Sequence, residues 1–202
     1  MKRSLKERLE DGPVIAGEGY LFELERRGYL QAGSFVPEVA LDNPEALKQT
    51  YRDYMNAGSD VVLAFTYNAH REKMRIIGKE ELLEPLNRNA IRLAKEVAKE
   101  HPTEEALVAG NISNTNIFDP DNPESKDQVR RMFREMVQWC KEEEVDYING
   151  ETFYYHEEAV IALEEIQRQG IPAVITMGLM GENILRDGFT VEESCRILSE
   201  KG

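Results

Sequence analysis

Val145-Asp146-Tyr147-Ile148-Asn149-Gly150-Glu151-Thr152-Phe153 is the stretch that decides the fold. Val145 to Asn149 reads as a short buried strand, and Glu151 follows it directly, just before a helical pattern running from Glu157 to Gln169. In parallel βα proteins the chemistry gathers at the carboxyl ends of the strands, so Glu151 stands at a favoured position. Outward from it, the same alternation repeats. Upstream, Pro13 to Ala16 reads as a first strand ending in Gly17-Glu18-Gly19, with a helix over Tyr20 to Arg27. Asn43-Pro44-Glu45 opens a helix that stops at Ala57-Gly58, because Asn caps and Pro fits the first helical turn. Asp60 to Phe65 is a second strand ending at Thr66, and a helical stretch spans 79–100. Ala106 to Gly110 is a third strand. The helix over 125–143 places Val129, Met132, Phe133, Met136 and Cys140 on one face. Downstream, Pro172 to Thr176 is a fifth strand, and Thr190-Val191-Glu192-Glu193 is a capping box that opens a last helix.

Five apolar strands alternating with helices imply an α/β fold with a parallel sheet buried on both faces. Spacing fits two architectures: a doubly wound open sheet, or about the first five βα units of a (β/α)8 barrel, which needs about 250 residues in full. Gly17-Glu18-Gly19-Tyr20-Leu21-Phe22 lacks the third glycine of a dinucleotide fingerprint, which counts against the nucleotide-binding open sheet.

With 202 residues, 41% of them hydrophobic and 31% charged, the chain has the length and composition of a single soluble domain. A net charge of −13 without a basic cluster excludes a nucleic-acid binder and an anionic membrane surface. No apolar run is long enough to span a bilayer, and no apolar stretch follows the basic first residues as a secretory signal would require. Cys140 and Cys195 are far apart, both in helical patterns, and both read as core; a reducing cytoplasm follows. Neither has a partner at zinc-ligand spacing, and His156-Glu157-Glu158 lacks the second histidine of a zinc-protease helix. His70 and His101 lie in charged sequence and read as solvated.

The candidate site is therefore the set of strand ends: Gly17-Glu18-Gly19, Thr66-Tyr67-Asn68, Asn111 to Thr115, Glu151-Thr152 and Thr176-Met177-Gly178. They carry two carboxylates, amides and hydroxyls, and no cation, a set suited to the ammonium group of a small ligand. Each has a plainer use. Gly17 and Gly19 fit a tight turn, Glu18 fits exposed surface, Glu151 can cap the next helix, and Asn111 and Asn114 can form turns.

Four segments in register carry a family resemblance over nearly the whole chain. They are Val14 to Tyr29, Ala57 to Val62 with Phe65-Thr66, Val108 to Thr115, and Asp146 to Phe153. They resemble the homocysteine S-methyltransferases, in particular the betaine–homocysteine methyltransferase-like branch. The resemblance implies a (β/α)8 barrel in which a zinc-held homocysteine thiolate takes a methyl group to give methionine, since metal binding deprotonates a thiol. It makes residues 1–202 a single homocysteine-binding domain, incomplete at its C-terminus. It assigns Glu151 to the homocysteine amino group, with Gly17, Glu18, Gly19, Thr66 and Asn111 lining the substrate pocket. In the family loop the acid comes first, as Asp-Gly-Gly; here it is shifted by one position, to Glu18.

Phe35 stands where the betaine enzyme has tryptophan, and Asn68 and Thr152 where it has tyrosines, so a ring cage for betaine is largely missing. The implied donors are betaine-like ammonium compounds, sulfonium compounds such as S-methylmethionine, and folates. The family's zinc cysteines belong to strands six and eight, beyond the last strand here. No residue of this chain is accordingly assigned as a catalytic group or metal ligand, and the expectation is a fragment or truncated gene product, inactive by itself. The alternative is a non-catalytic amino-acid-binding or interaction protein derived from the same barrel. A lyase or aldolase is disfavoured by the absence of a strand-end lysine.

Overall fold

Four parallel strands form one sheet in the order of the chain: β1 (Val61–Leu63), β2 (Leu107–Ser113), β3 (Tyr147–Phe153) and β4 (Ala173–Met177). The structure is a computed structural model and describes residues 2–30, 38–101, 104–181 and 183–202. The register runs Val62 to Val108, Gly110 to Ile148 and Asn149 to Val174. Strand order that never reverses leaves no switch point, so the sheet is wound like a barrel wall rather than doubly wound.

Helices α1 (Leu5–Asp11), α2 (Tyr20–Arg26), α3 (Val39–Asp42) and α4 (Pro44–Asn56) precede β1. A short helix α5 (Arg71–Ile76), a 3₁₀ turn at Glu80–Leu82 and α6 (Leu83–Ala98) connect β1 to β2. Crossover helices α7 (Pro123–Glu142) and α8 (His156–Arg168) follow β2 and β3, and α9 (Val191–Lys201) follows β4. Among the described residues no helix is long and apolar enough to cross a membrane.

The expected first strand is reduced to one parallel bridge, Ala16 to Val61. Asp60 N–H donates to Ile15 C=O at 2.7 Å, and Ile15 N–H donates to Asp60 Oδ2 at 2.8 Å. The segment thus lies beside β1, but four residues between Gly12 and Gly17, one of them the donorless Pro13, cannot build a longer ladder. Strands two to four of the sequence reading are shifted at their ends. The third and fourth extend past their apolar runs, to Ser113 and Phe153, which places Asn111 and Glu151 within strands.

The core lies between the sheet and the helices. Every residue of β1 and β2 is buried, whereas β4, at the sheet edge, is half-buried throughout. Helix α7 turns its expected face inward, and Phe133 meets Phe153 edge-on with ring centroids 5.9 Å apart. A Cβ on Gly110 would lie 2.5 Å from Cys140 Sγ, so α7 rests directly on the β2 backbone there. Gly110→Ala is therefore expected to lower stability by about 1–3 kcal/mol in urea unfolding, as overpacking does. Cys140 is core, as read from the sequence, but Cys195 is exposed on α9 and corrects that reading. Its helix is amphipathic, and the cysteine falls on the solvent side.

Candidate functional site

The end of β3 is irregular for a reason visible in its composition. β3 pairs with β4 at Gly150–Ile175 and next at Phe153–Met177, so three residue steps on β3 face two on β4 and the strand bulges. Thr152 takes φ 59°, a left-handed conformation that a β-branched residue rarely adopts. Two glycines make room. A Cβ on Gly150 would meet Ile175 Cδ1 and Phe153 Cε2 at 2.8 Å, and one on Gly178 would meet Thr152 Cγ2 at 2.9 Å.

Next to this bulge lies a cavity of about 310 Å3 built from four successive strand ends. Glu18, Gly19 and Phe22 come from the turn before α2 and its first residues, and Phe65, Tyr67 and Asn68 from the segment after β1. Asn111 comes from β2, and Glu151 and Thr152 from β3. Asn111 Nδ2 donates to Glu151 Oε2 at 2.7 Å, while Asn111 Oδ1 is buried without a hydrogen-bond partner. Burial pushes the Glu151 carboxyl up to about 7, and nearby Glu18 adds to the rise; the Asn111 hydrogen bond and Lys73 oppose it. A half-buried carboxylate facing a second acid, beside an orphaned amide oxygen, is short of positive charge and N–H donors. The arrangement accepts an ammonium group.

The sequence-derived residues divide accordingly. Glu18, Gly19, Asn111 and Glu151 meet at the cavity, with Glu18 exposed at its rim. Gly17 and Thr66 do not line it. Gly17 is packed against Tyr54, whose Cδ1 a Cβ would meet at 2.7 Å, and Thr66 Oγ1 donates to Asn111 C=O at 2.7 Å, tying the end of β1 to β2. Glu151 does not cap α8, where Asp187 Oδ2 accepts the Glu157 N–H at 3.0 Å. Asn111 is a strand residue rather than a turn former. Asn68 and Thr152 line the cavity in place of rings, and Phe35 lies outside the described residues.

Two residues escaped the sequence reading. His70 is buried rather than solvated: its Nδ1 accepts the Lys73 N–H at 3.3 Å, which caps α5, and burial lowers its pKa to about 3. Lys73 is also buried, so the strand ends do have a nearby cation. Its Nζ donates to Tyr67 C=O at 3.2 Å and sits 4.4 Å from the centre of the Tyr67 ring. Burial lowers Lys73 to about 8 against the pull of Glu158 and Glu151. A short helix with an uncharged cap before a Lys-Met pair was the available signal, and charge alone hid it.

Among the described residues no three His, Cys, Asp or Glu side chains converge on a common point. The Cys140 thiol is enclosed in the core, which pushes its pKa up to about 12, and Cys195 faces solvent on α9.

The family profile described as homocysteine S-methyltransferase matches residues 15–202. The S-methylmethionine–homocysteine S-methyltransferase of Pongo abelii is 35% identical over 187 residues, covering 92% of this chain and 49% of that protein. Betaine–homocysteine S-methyltransferase 1 of Sus scrofa is 36% identical over 181 residues, covering 87% of this chain and 63% of that protein. The metallated homocysteine methyltransferase MmuM of Escherichia coli superposes with a TM-score of 0.83 at 21% identity, covering 97% of this chain and 74% of that one. That likeness makes the fold an α/β parallel-sheet fold like that enzyme's barrel. The chain spans about half the length of the first of these relatives. It belongs to the homocysteine S-methyltransferase family.

Proposed function

We propose that Val14–Ala16 and β1 to β4 are the first five strand positions of a (β/α)8 barrel. In this reading the cavity at their carboxyl ends binds the amino-acid end of homocysteine for methyl transfer to its thiol, giving methionine. The reading rests on the Glu151–Asn111 pair, a half-buried carboxylate beside a buried, unpaired amide oxygen. Bound ammonium would return Glu151 to its ionised form, donate to Asn111 Oδ1 and neutralise the repulsion from Glu18. Gly17 and Thr66 support this wall from behind. The role of this chain's residues is to bind and orient, which gives methyl transfer its proximity.

The zinc implied by the family resemblance does not fit the side chains described here: one cysteine is sealed in the core and the other lies on an outer helix. Thiol activation is assigned to none of these residues. Amino-acid binding without turnover is the second reading, which the Glu151–Asn111 pair serves equally. The absence of rings at Asn68 and Thr152 favours a donor other than betaine, such as a sulfonium compound. The cytoplasm is the compartment that suits the free thiols.

The ammonium contact is tested by calorimetry with L-homocysteine and with 4-mercaptobutyrate, which lacks the amino group. Charge-assisted hydrogen bonds of about 1.5–3 kcal/mol predict roughly 10- to 100-fold weaker binding of the analogue. Equal affinities would refute the assignment. Methionine formation with betaine, S-methylmethionine and a methylated folate then separates turnover from binding.

A further inference from the structure

The bulge that carries Glu151 is strained, and the side chains of Asn114 and Thr176, both outside the cavity, hold it from either side. The β2–β3 ladder ends at Ser113–Glu151. Asn114 continues it, first through its backbone N–H, which donates to Glu151 C=O at 3.3 Å. Its side chain then takes over: Nδ2 donates to Thr152 C=O at 3.1 Å and to the Tyr67 hydroxyl at 3.3 Å. From the other side, Thr152 N–H donates to Thr176 Oγ1 at 3.1 Å. Asn114 is 5% exposed and does not line the cavity beside Glu151.

We propose that Asn114 is a positioning residue: it holds the left-handed Thr152 and the Tyr67 hydroxyl in one frame and so aims the Glu151 carboxylate into the cavity. The inference rests on the reading of Glu151 as the ammonium ligand. Its physical basis is the period of the strand. Side chains alternate across a sheet, so a bulge that relaxes by one residue turns its neighbours to the opposite face. Thr152 has a steric reason to relax, since its branched Cβ disfavours positive φ. The amide of Asn114 opposes that by satisfying the Thr152 carbonyl only in the bulged geometry. The same Nδ2 reaches Tyr67, whose carbonyl is held by Ser113 Oγ at 2.7 Å and by Lys73. Two cavity walls are thereby set relative to one another through one group that touches no ligand.

The test is a four-protein cycle of the full chain: wild type, Asn114→Ala, Thr152→Gly and the double variant. L-homocysteine affinity is measured by calorimetry at pH 8. Asn114→Ala is expected to weaken binding about 10-fold, the worth of one good hydrogen bond. Thr152→Gly alters the cavity wall and so sets its own reference affinity, while glycine takes positive φ without support. Removing Asn114 in that background should change affinity by less than about 3-fold, an independence that a merely structural role of Asn114 would not produce. An equal loss on removing Asn114 in both backgrounds overturns the proposal, as does wild-type affinity in Asn114→Ala. If Asn114→Ala fails to fold, Asn114→Asp keeps the shape while setting an oxygen against the Thr152 carbonyl, and the same cycle applies. A crystal structure of the Asn114 variant reports φ at position 152 without any ligand: loss of the left-handed conformation supports the clamp, and its retention refutes it. Should Glu151→Gln bind like wild type, the ammonium reading fails, and φ at position 152 still decides the clamp.

Discussion

Glu151→Gln is expected to weaken L-homocysteine binding by roughly 30- to 5,000-fold, because removing one partner of a buried hydrogen-bonded charge pair costs about 2–5 kcal/mol. Glutamine keeps the shape and can still accept from Asn111 Nδ2, so the loss reports charge rather than packing. The wild-type protein should also show a pH dependence that the variant lacks. Its carboxyl is pushed up to about 7 in the empty cavity, chiefly by burial. An ammonium group needs the ionised form, so below that value a proton must leave as the ligand binds. Affinity should therefore rise about 10-fold from pH 6 to pH 8 and then level off, and Glu151→Gln should be flat over the same window. The linkage to stability has the opposite sense. A carboxyl raised in the folded state stabilises the fold below its unfolded pKa, near 4.5, and that contribution is lost as pH rises through about 7. At pH 8 the unliganded Glu151→Gln protein should be more stable than wild type by about 1–3 kcal/mol, read from urea midpoints. A less stable variant, or one with unchanged affinity, would contradict this electrostatic account.

Phe153→Ala is expected to cost about 3–5 kcal/mol of folding stability, a large part of the ~5–15 kcal/mol typical of a domain. Phe153 is fully buried, meets Phe133 edge-on, and fills the space that Gly150 leaves by having no Cβ. It is also the residue at which β3 regains its register with β4 after the bulge. Urea unfolding should show the loss as a shift in midpoint, with Phe153→Leu in between. A loss below about 1.5 kcal/mol would mean that the α7 contact does not hold this end of the strand.

The alternation of strand and helix was legible because each buried strand is a continuous apolar run and each long helix shows one apolar face. α7 and α9 follow their sequence signals closely, down to the Thr190 capping box. The short extent of the first strand and the helices α1, α3 and α5 were not legible. A segment between two glycines carries too few apolar residues to announce that it will form a single bridge, and α5 has six residues, too few to show a period. His70 was misjudged and Lys73 overlooked for a related reason: charge is a good guide to exposure only where no partner is available, and both find theirs within the fold.

The sequence by itself determined which residues stand at the strand ends, and hence that Glu18, Asn111 and Glu151 belong to the carboxyl end of a parallel sheet. It could do so because strand period and apolar runs are local properties of the chain. Only the tertiary structure decided which of them meet. Gly17 and Thr66 turn to packing and to the ladder, while Asn111 turns its amide to Glu151. The acidity of Glu151, the cation brought by α5 and the strained bulge at Thr152 are likewise tertiary. Each depends on burial and on distances between residues far apart in sequence, which no local pattern encodes.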